Sequence, residues 1–198
     1  MTSERSKCVE DKDDLWLSNK LRANEAWASV KEDFRLLPDA DPITGESKNF
    51  YGPEFENDVV ILACIDCILG WALSVESSIN LIWITNEKTK NMDEKSIRGG
   101  PVAKFKELCR HNEVKLDTAN FIADLKMLIN VRDELVHFKK PITYVGFSFA
   151  PQYQHDFSLE NMNRYQKGVH SLIKFLSLNF NMNSDFLDGK YTFFFASE

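Results

Sequence analysis

The sequence Arg132-Asp-Glu-Leu-Val-His137 puts an arginine on the apolar side of a predicted helix. At about 100° per residue, Arg132 falls in the middle of a stripe formed by Phe121, Leu125, Leu128, Ile129, Leu135 and Val136. A guanidinium stays charged and is costly to desolvate, so an inward arginine needs a carboxylate, carbonyl groups or an anionic ligand. Asp66 and Glu76 are candidate partners, because each stands within an apolar stretch. An ion pair that orients two helices is the conservative interpretation of Arg132.

His137 is the second residue whose type could support chemistry, since an imidazole titrates near neutral pH. It follows Arg132 by roughly 140° around an ideal helix and about 7.5 Å along it. The two side chains could converge on one anion if the helix frays before Pro141, or if a second copy packs antiparallel across a two-fold axis. Considered alone, a histidine near a helix C-terminus is explained by stabilisation of the helix dipole.

The elements that position these residues are mainly helical. Apolar spacing predicts five helices, at about 13–37, 58–86, 101–111, 117–140 and 158–180. Residues 38–57 are rich in Pro and Gly and predict a long loop, whereas β-branched and aromatic residues predict strands near 142–149 and 191–196 that could pair. The sequence predicts a single domain, a helical bundle of about five helices with a small β annex. Its segments are an N-terminal helix and loop (1–57), a helical core (58–180) and a tail (181–198).

The stretch Arg132-Asp133-x-x-x-His137 resembles the Arg-x4–6-His signature of the HEPN superfamily. The context is similar too, because a long apolar helix carrying Glu76 and Asn80 precedes a helix that ends in the signature. The resemblance covers about residues 58–180. It implies a HEPN-like helical bundle that forms a homodimer and, in active members, cleaves RNA without a metal ion or other cofactor.

The resemblance also implies roles for individual residues. Arg132 would stabilise the scissile phosphate and the charge developing on it, and His137 would move the proton at the 2′-OH or at the leaving oxygen. Asp133 would orient the arginine or the histidine. Lys139 and Lys140 would bind RNA as a local positive patch, although two solvated lysines at a helix end are equally expected there. A toxin, phage-defence or stress setting, with a protein antitoxin as a further partner, follows from the resemblance alone.

Two other hypotheses stay open. In the first, the chain is a non-catalytic HEPN-like dimerisation or protein-interaction module, and Arg132 forms a structural ion pair with Glu76 or Asp66. In the second, the chain is a plain helical bundle in which the motif is accidental, so that Arg132 and His137 never approach each other in any dimer.

Composition narrows the function classes. The net charge of −6 and the pI of about 5.3 argue against nucleic-acid binding by the whole surface, so any RNA site must be local. The start of the chain has no apolar leader, which predicts a cytoplasmic protein with free thiols. Asp66 within the apolar run 59–75 favours a buried central helix over a membrane span. Cys64-x-x-Cys67 has no second cysteine pair and predicts core packing, not metal binding.

Overall fold

The computed structural model describes residues 15–40, 47–54, 57–93, 97, 99–116, 120–137 and 155–182. This part of the chain is a helical bundle with a small antiparallel sheet, which confirms the predicted mainly α class with a β annex. In chain order, the elements are α1 (Leu15–Val30), a 3-10 turn (Lys31–Asp33), β1 (Arg35–Ala40), β2 (Ser47–Gly52), α2 (Asp58–Thr85), α3 (Gly100–His111), α4 (Phe121–His137) and α5 (Leu159–Phe180).

Helix α2 is the centre of the bundle, and the other four helices pack against it. It begins at the predicted position because the Asn57 side chain accepts a hydrogen bond from the backbone N–H of Val60. Its buried side includes Ile68, Trp71 and Ile79, all at 0% exposure. Gly70 permits a close approach between α2 and α1, since a Cβ there would lie 2.9 Å from the Cβ of Ala23 on α1. The sequence therefore folds around the one helix that is apolar nearly all round.

Strands β1 and β2 correct the prediction for the N-terminal region. The helix expected to run to Leu37 ends at Val30, and the segment predicted as a long loop contains most of a two-stranded antiparallel sheet. Pro38 stands within β1, opposite Asn49. A proline is tolerated in a strand that has a neighbour on one side only, because its missing N–H can face away from the ladder. The strands predicted at 142–149 and 191–196 lie outside the described residues.

The remaining three helices confirm the predicted order of elements. The Ser158 hydroxyl accepts from the backbone N–H of Asn161 and caps α5, as its position in the sequence predicts. The buried apolar residues of α3 are Val102, Phe105, Leu108 and Cys109. Phe105, Phe121 and Phe175 form an aromatic cluster where α3, α4 and α5 meet, with ring centroids 5.5–6.1 Å apart. This cluster fixes the N-terminal half of α4, the helix that ends in the signature.

One side of α2 is not covered by the bundle. Among the described residues, α2 is the one helix long and apolar enough to cross a membrane, with a hydropathy of 2.1 over its most apolar window. Half of that window is buried, as in the core helix of a soluble protein. Length and composition alone do not distinguish such a core helix from a membrane-spanning helix. The uncovered side carries four exposed apolar residues, Val59, Leu62, Leu73 and Ile84, which we call the α2 face. At about 100° per residue these four side chains lie within about 60° of one another.

Candidate functional site

Arg132 lies on the second turn from the C-terminus of α4 and points at α2. Its Nη2 lies 3.4 Å from the Glu76 Oε2 of α2, and its Nη1 lies 3.2 Å from the Asp133 Oδ1 of its own helix. The Arg132 side chain is 21% exposed, whereas those of Glu76 and Asp133 are 41% and 39% exposed. The apolar stripe thus places the guanidinium in a largely covered position. Glu76, one of the two predicted carboxylate partners, contacts it there.

Asp66, the other candidate partner, does not meet Arg132. Its Oδ2 lies 3.7 Å from the Nη2 of Arg22 on α1, and both side chains are more than half exposed. Asp66 therefore is not the partner of Arg132, because it lies on the solvent-exposed side of α2 beside α1. Glu76 is therefore the acidic residue of α2 that supports the signature.

His137 is the last residue of α4, and it is exposed. The helix runs unbroken from Phe121 to His137, so the two signature residues stay on different sides of it, roughly 140° apart. The predicted apolar stripe opens to solvent over this last turn: Leu135 is partly buried and Val136 is 48% exposed. Lys139 and Lys140, the predicted substrate-binding residues, lie outside the described residues.

A second polar contact lies beside the first and was not anticipated from the sequence. Asn80 follows Glu76 by one turn of α2, and its Oδ1 accepts a hydrogen bond of 2.8 Å from the Lys104 Nζ of α3. Lys104 is 8% exposed, and its Nζ lies 5.2 Å from the centroid of the Trp83 ring. The sequence did carry a signal, since Lys104 lies about 40° from Leu108 at the edge of the buried side of α3. Glu76 and Asn80 therefore each contact a cationic side chain, and these two side chains belong to different helices.

The charges at the signature limit what Arg132 can do alone. One guanidinium faces two carboxylates, so the local net charge is negative in an already acidic protein. A guanidinium has more N–H groups than these two contacts use, so Arg132 keeps donors that no described residue engages. Glu76 fixes the position of the guanidinium, and an incoming anion would have to compete with both carboxylates.

The cysteine pair of α2 has no access to chemistry in the folded protein. Cys64 and Cys67 are free thiols at 0% exposure, and the Cys67 thiol lies 3.4 Å from the Ala23 carbonyl oxygen as a hydrogen-bond donor. Burial raises the pKa of each thiol to about 12. This agrees with the predicted packing role. Among the described residues, no three His, Cys, Asp or Glu side chains come together in an arrangement that could hold a metal ion.

Comparison with known proteins adds no relative: no family model, no curated protein and no solved structure matches the chain.

Proposed function

We propose that the chain is a HEPN-like homodimer that cleaves RNA without a metal ion, at sites shared between the two copies. In each site, Arg132 of one copy binds the scissile phosphate and His137 of the other moves the proton. The 2′-OH attacks the phosphorus, the P–O5′ bond breaks, and the products are a 2′,3′-cyclic phosphate and a 5′-OH. Asp133 and Glu76 position the guanidinium. The single observation that carries this proposal is the exposed His137 at the end of an unbroken helix that holds Arg132 in place.

The unbroken helix supports a shared site over a site within one copy. Side chains roughly 140° apart on one straight helix do not converge on a single phosphate. When two copies pack antiparallel across a two-fold axis, residue i of the first copy lies next to residue j of the second. By symmetry, residue j of the first copy lies next to residue i of the second. Arg132 and His137 are such a pair, because they lie on the last two turns of α4 and on different sides of it.

The α2 face supplies the surface that a homodimer needs. Leu73 is 50% exposed and lies one turn before Glu76, so the face runs alongside the carboxylate that holds Arg132. Val136, 48% exposed, adds an apolar residue between Arg132 and His137 on α4. Exposed apolar residues that share one side of a helix are typical of interaction surfaces in soluble proteins. A two-fold contact over this surface would place both signatures at the interface.

A second function is favoured by a different observation, the two carboxylates already on Arg132. In this alternative, the chain is a non-catalytic HEPN-like dimerisation or protein-interaction module, and the Arg132–Glu76 pair joins α4 to α2 for structural reasons. Both functions use the α2 face, so both predict a dimer or another protein partner. They differ in whether RNA is cleaved. The cytoplasmic location and the toxin, defence or stress setting, with its antitoxin partner, stay predictions from the resemblance.

Cleavage of labelled single-stranded RNA and tRNA in excess EDTA separates the two functions. Wild type is compared with Arg132→Ala and His137→Ala, and with the matched controls Arg22→Ala and His111→Ala, whose residues lie elsewhere on the surface. The ribonuclease proposal predicts cleavage that is lost in the first two variants and kept in the controls. If no RNA is cleaved while Arg132→Ala lowers the melting temperature, the non-catalytic module is the better description.

The dimer is tested separately by sedimentation equilibrium. We expect the wild type to sediment as a dimer and Leu73→Glu to sediment as a monomer, because a buried charge opposes association. Leu178→Glu is the matched control, since Leu178 is 74% exposed on α5 and outside the α2 face. A monomeric wild type, or equal dissociation by both substitutions, would contradict the assignment of this surface.

A further inference from the structure

Arg132 is poorly satisfied for an arginine in a largely covered position. Its Nη2 donates a hydrogen bond of 3.4 Å to the Glu76 Oε2, and its Nη1 lies 3.2 Å from the Asp133 Oδ1. Strong hydrogen bonds between an arginine and a carboxylate are shorter, at about 2.7–2.9 Å. A guanidinium has five N–H donors, so these two contacts engage fewer than half of them. The guanidinium can thus accommodate a better acceptor than the two carboxylates it contacts.

The Arg164–Asp124 pair, which joins α5 to α4, is a tight pair in the same bundle and serves as a comparison. The Arg164 Nε and Nη2 lie 2.9 Å and 2.8 Å from the Asp124 Oδ1. The Arg164 side chain is 40% exposed, whereas that of Arg132 is 21% exposed. The more covered guanidinium should need the tighter bonds, because water replaces fewer of its missing partners. Arg132 shows the reverse, so its contacts hold it in place without satisfying it.

Both carboxylates at Arg132 border solvent and can turn into it. The side chains of Glu76 and Asp133 are each about twice as exposed as that of Arg132. An ion pair with a partner of this exposure contributes little net free energy, so its carboxylate is easily exchanged for water. The packing of α4 does not depend on the pair, because α4 buries apolar residues such as Leu125 and Leu128 in the core. Glu76 can therefore leave Arg132 while the bundle stays folded.

The charges around Arg132 oppose an incoming phosphate as long as Glu76 stays in place. One guanidinium and two carboxylates leave an excess of one negative charge at the signature. When a phosphate replaces the Glu76 carboxylate, this excess does not grow, and the phosphate oxygens suit the paired N–H groups of a guanidinium. An oligonucleotide also gains binding free energy from its other nucleotides, which helps to displace the carboxylate.

We infer that Glu76 is a displaceable latch on Arg132: it holds the guanidinium in the free protein, and a phosphate of bound RNA takes its place. The inference rests on the proposed function in one respect, that RNA is the ligand of Arg132. No covalent bond changes in this exchange, and the displaced carboxylate turns into water. Removing the charge of a latch strengthens RNA binding, whereas removing a residue that only supports Arg132 weakens it. The sign of the change in affinity therefore separates the two roles.

Fluorescence anisotropy with a labelled single-stranded 2′-O-methyl RNA measures binding without cleavage, because the proposed reaction needs a free 2′-OH. The full chain is titrated at low ionic strength as wild type and as Glu76→Gln, which removes the charge and keeps the size of the side chain. We expect Glu76→Gln to bind about threefold or more tightly than wild type, since one negative charge beside the phosphate is lost. The gain should shrink as salt is added.

Two further proteins control for the route of this effect. In the double variant Glu76→Gln/Arg132→Ala the gain should vanish relative to Arg132→Ala alone, because the latch acts through the guanidinium. Glu107→Gln is the matched control, since Glu107 is a glutamate of similar exposure that pairs with Arg110 on α3. It removes the same charge away from the signature and should leave the affinity within about twofold.

Three results would overturn the latch: binding by Glu76→Gln that is unchanged or weaker, an equal gain in Glu107→Gln, or no binding that depends on Arg132 in any of these proteins. If Glu76→Gln fails to fold, Asp133→Asn decides the question, because it removes the other competing carboxylate and should also tighten binding.

The outcome for the latch is distinguishable from the outcome for the ribonuclease. Tighter binding by Glu76→Gln, in a protein whose wild type cleaves no ordinary RNA, keeps the latch and refutes the ribonuclease. Cleavage by the wild type together with weaker binding by Glu76→Gln keeps the ribonuclease and refutes the latch.

Discussion

The Arg132–Glu76 pair predicts a measurable coupling free energy between α4 and α2. We consider the single variants Arg132→Ala and Glu76→Ala and the double variant, which together form a double-mutant cycle. The packing lost with the arginine stem appears in both arms of the cycle and cancels. What remains is the interaction across the 3.4 Å between the Arg132 Nη2 and the Glu76 Oε2.

The expected magnitude follows from the distance and the exposure. Two unit charges at this separation attract by about 5 kcal/mol at an effective dielectric constant of about 20. Glu76 is 41% exposed, the guanidinium is shared with Asp133, and desolvation opposes the attraction, so only a fraction survives. We expect a coupling of about 1 kcal/mol. For a chain of this length, a change of that size corresponds to about 2–4 °C in melting temperature.

Urea unfolding of the four proteins at one fixed concentration measures the coupling, since a dimer would make stability depend on concentration. The control is a second cycle with Arg22→Ala and Asp66→Ala, whose pair is 3.7 Å apart and more exposed on both sides. We expect less than about 0.5 kcal/mol there. A coupling at Arg132–Glu76 no larger than that of the control would refute the view that the signature arginine is anchored by α2.

Further predictions concern the helices that carry the site. Gly70→Ala should destabilise the protein by about 1–3 kcal/mol in urea unfolding, because the new Cβ would lie 2.9 Å from that of Ala23; unchanged stability would contradict the close packing of α1 on α2. Cys64 and Cys67 should react with a thiol reagent only after unfolding at pH 8, since burial keeps each pKa near 12; fast labelling of the native protein would oppose this. Because the unfolded thiols titrate near 9, the same raised pKa values should lower the unfolding free energy as the pH rises above about 9, which urea unfolding from pH 8 to 10 would detect. Asn57→Ala should cost about 1 kcal/mol through loss of the α2 cap, and a melting temperature equal to that of the wild type would argue against that cap.

The helices of this bundle were predictable because their signals are local. Asn57 and Ser158 mark helix starts by the hydrogen bonds that their side chains accept, and the apolar spacing of each helix names its buried side. The β1–β2 sheet was missed for the opposite reason. Strand β1 contains Pro38, and β2 is largely polar. The pairing of the two strands is a contact between separate segments, which apolar spacing within one segment does not reveal.

The candidate site was predictable in part. Periodicity placed Arg132 on the inward side of α4 and offered Glu76 or Asp66 as its partner, but only the packing of α1 decides that Asp66 meets Arg22 instead. Lys104 carried a signal, since it lies beside the apolar stripe of α3, yet its partner Asn80 belongs to a second helix. Spacing reveals which side chains point inward, and tertiary packing decides what they meet.

The central claim, that each ribonuclease site is shared between two copies, is tested most directly by mixing two inactive variants. Arg132→Ala keeps His137, and His137→Ala keeps Arg132, so a mixed dimer contains one complete site and one empty site. After subunit exchange in EDTA, the equal mixture should cleave labelled RNA at about a quarter of the wild-type rate, because half of the dimers are mixed and each has one of two sites. If both variants are folded and dimeric, and the mixture stays as inactive as either variant alone, the shared site is contradicted.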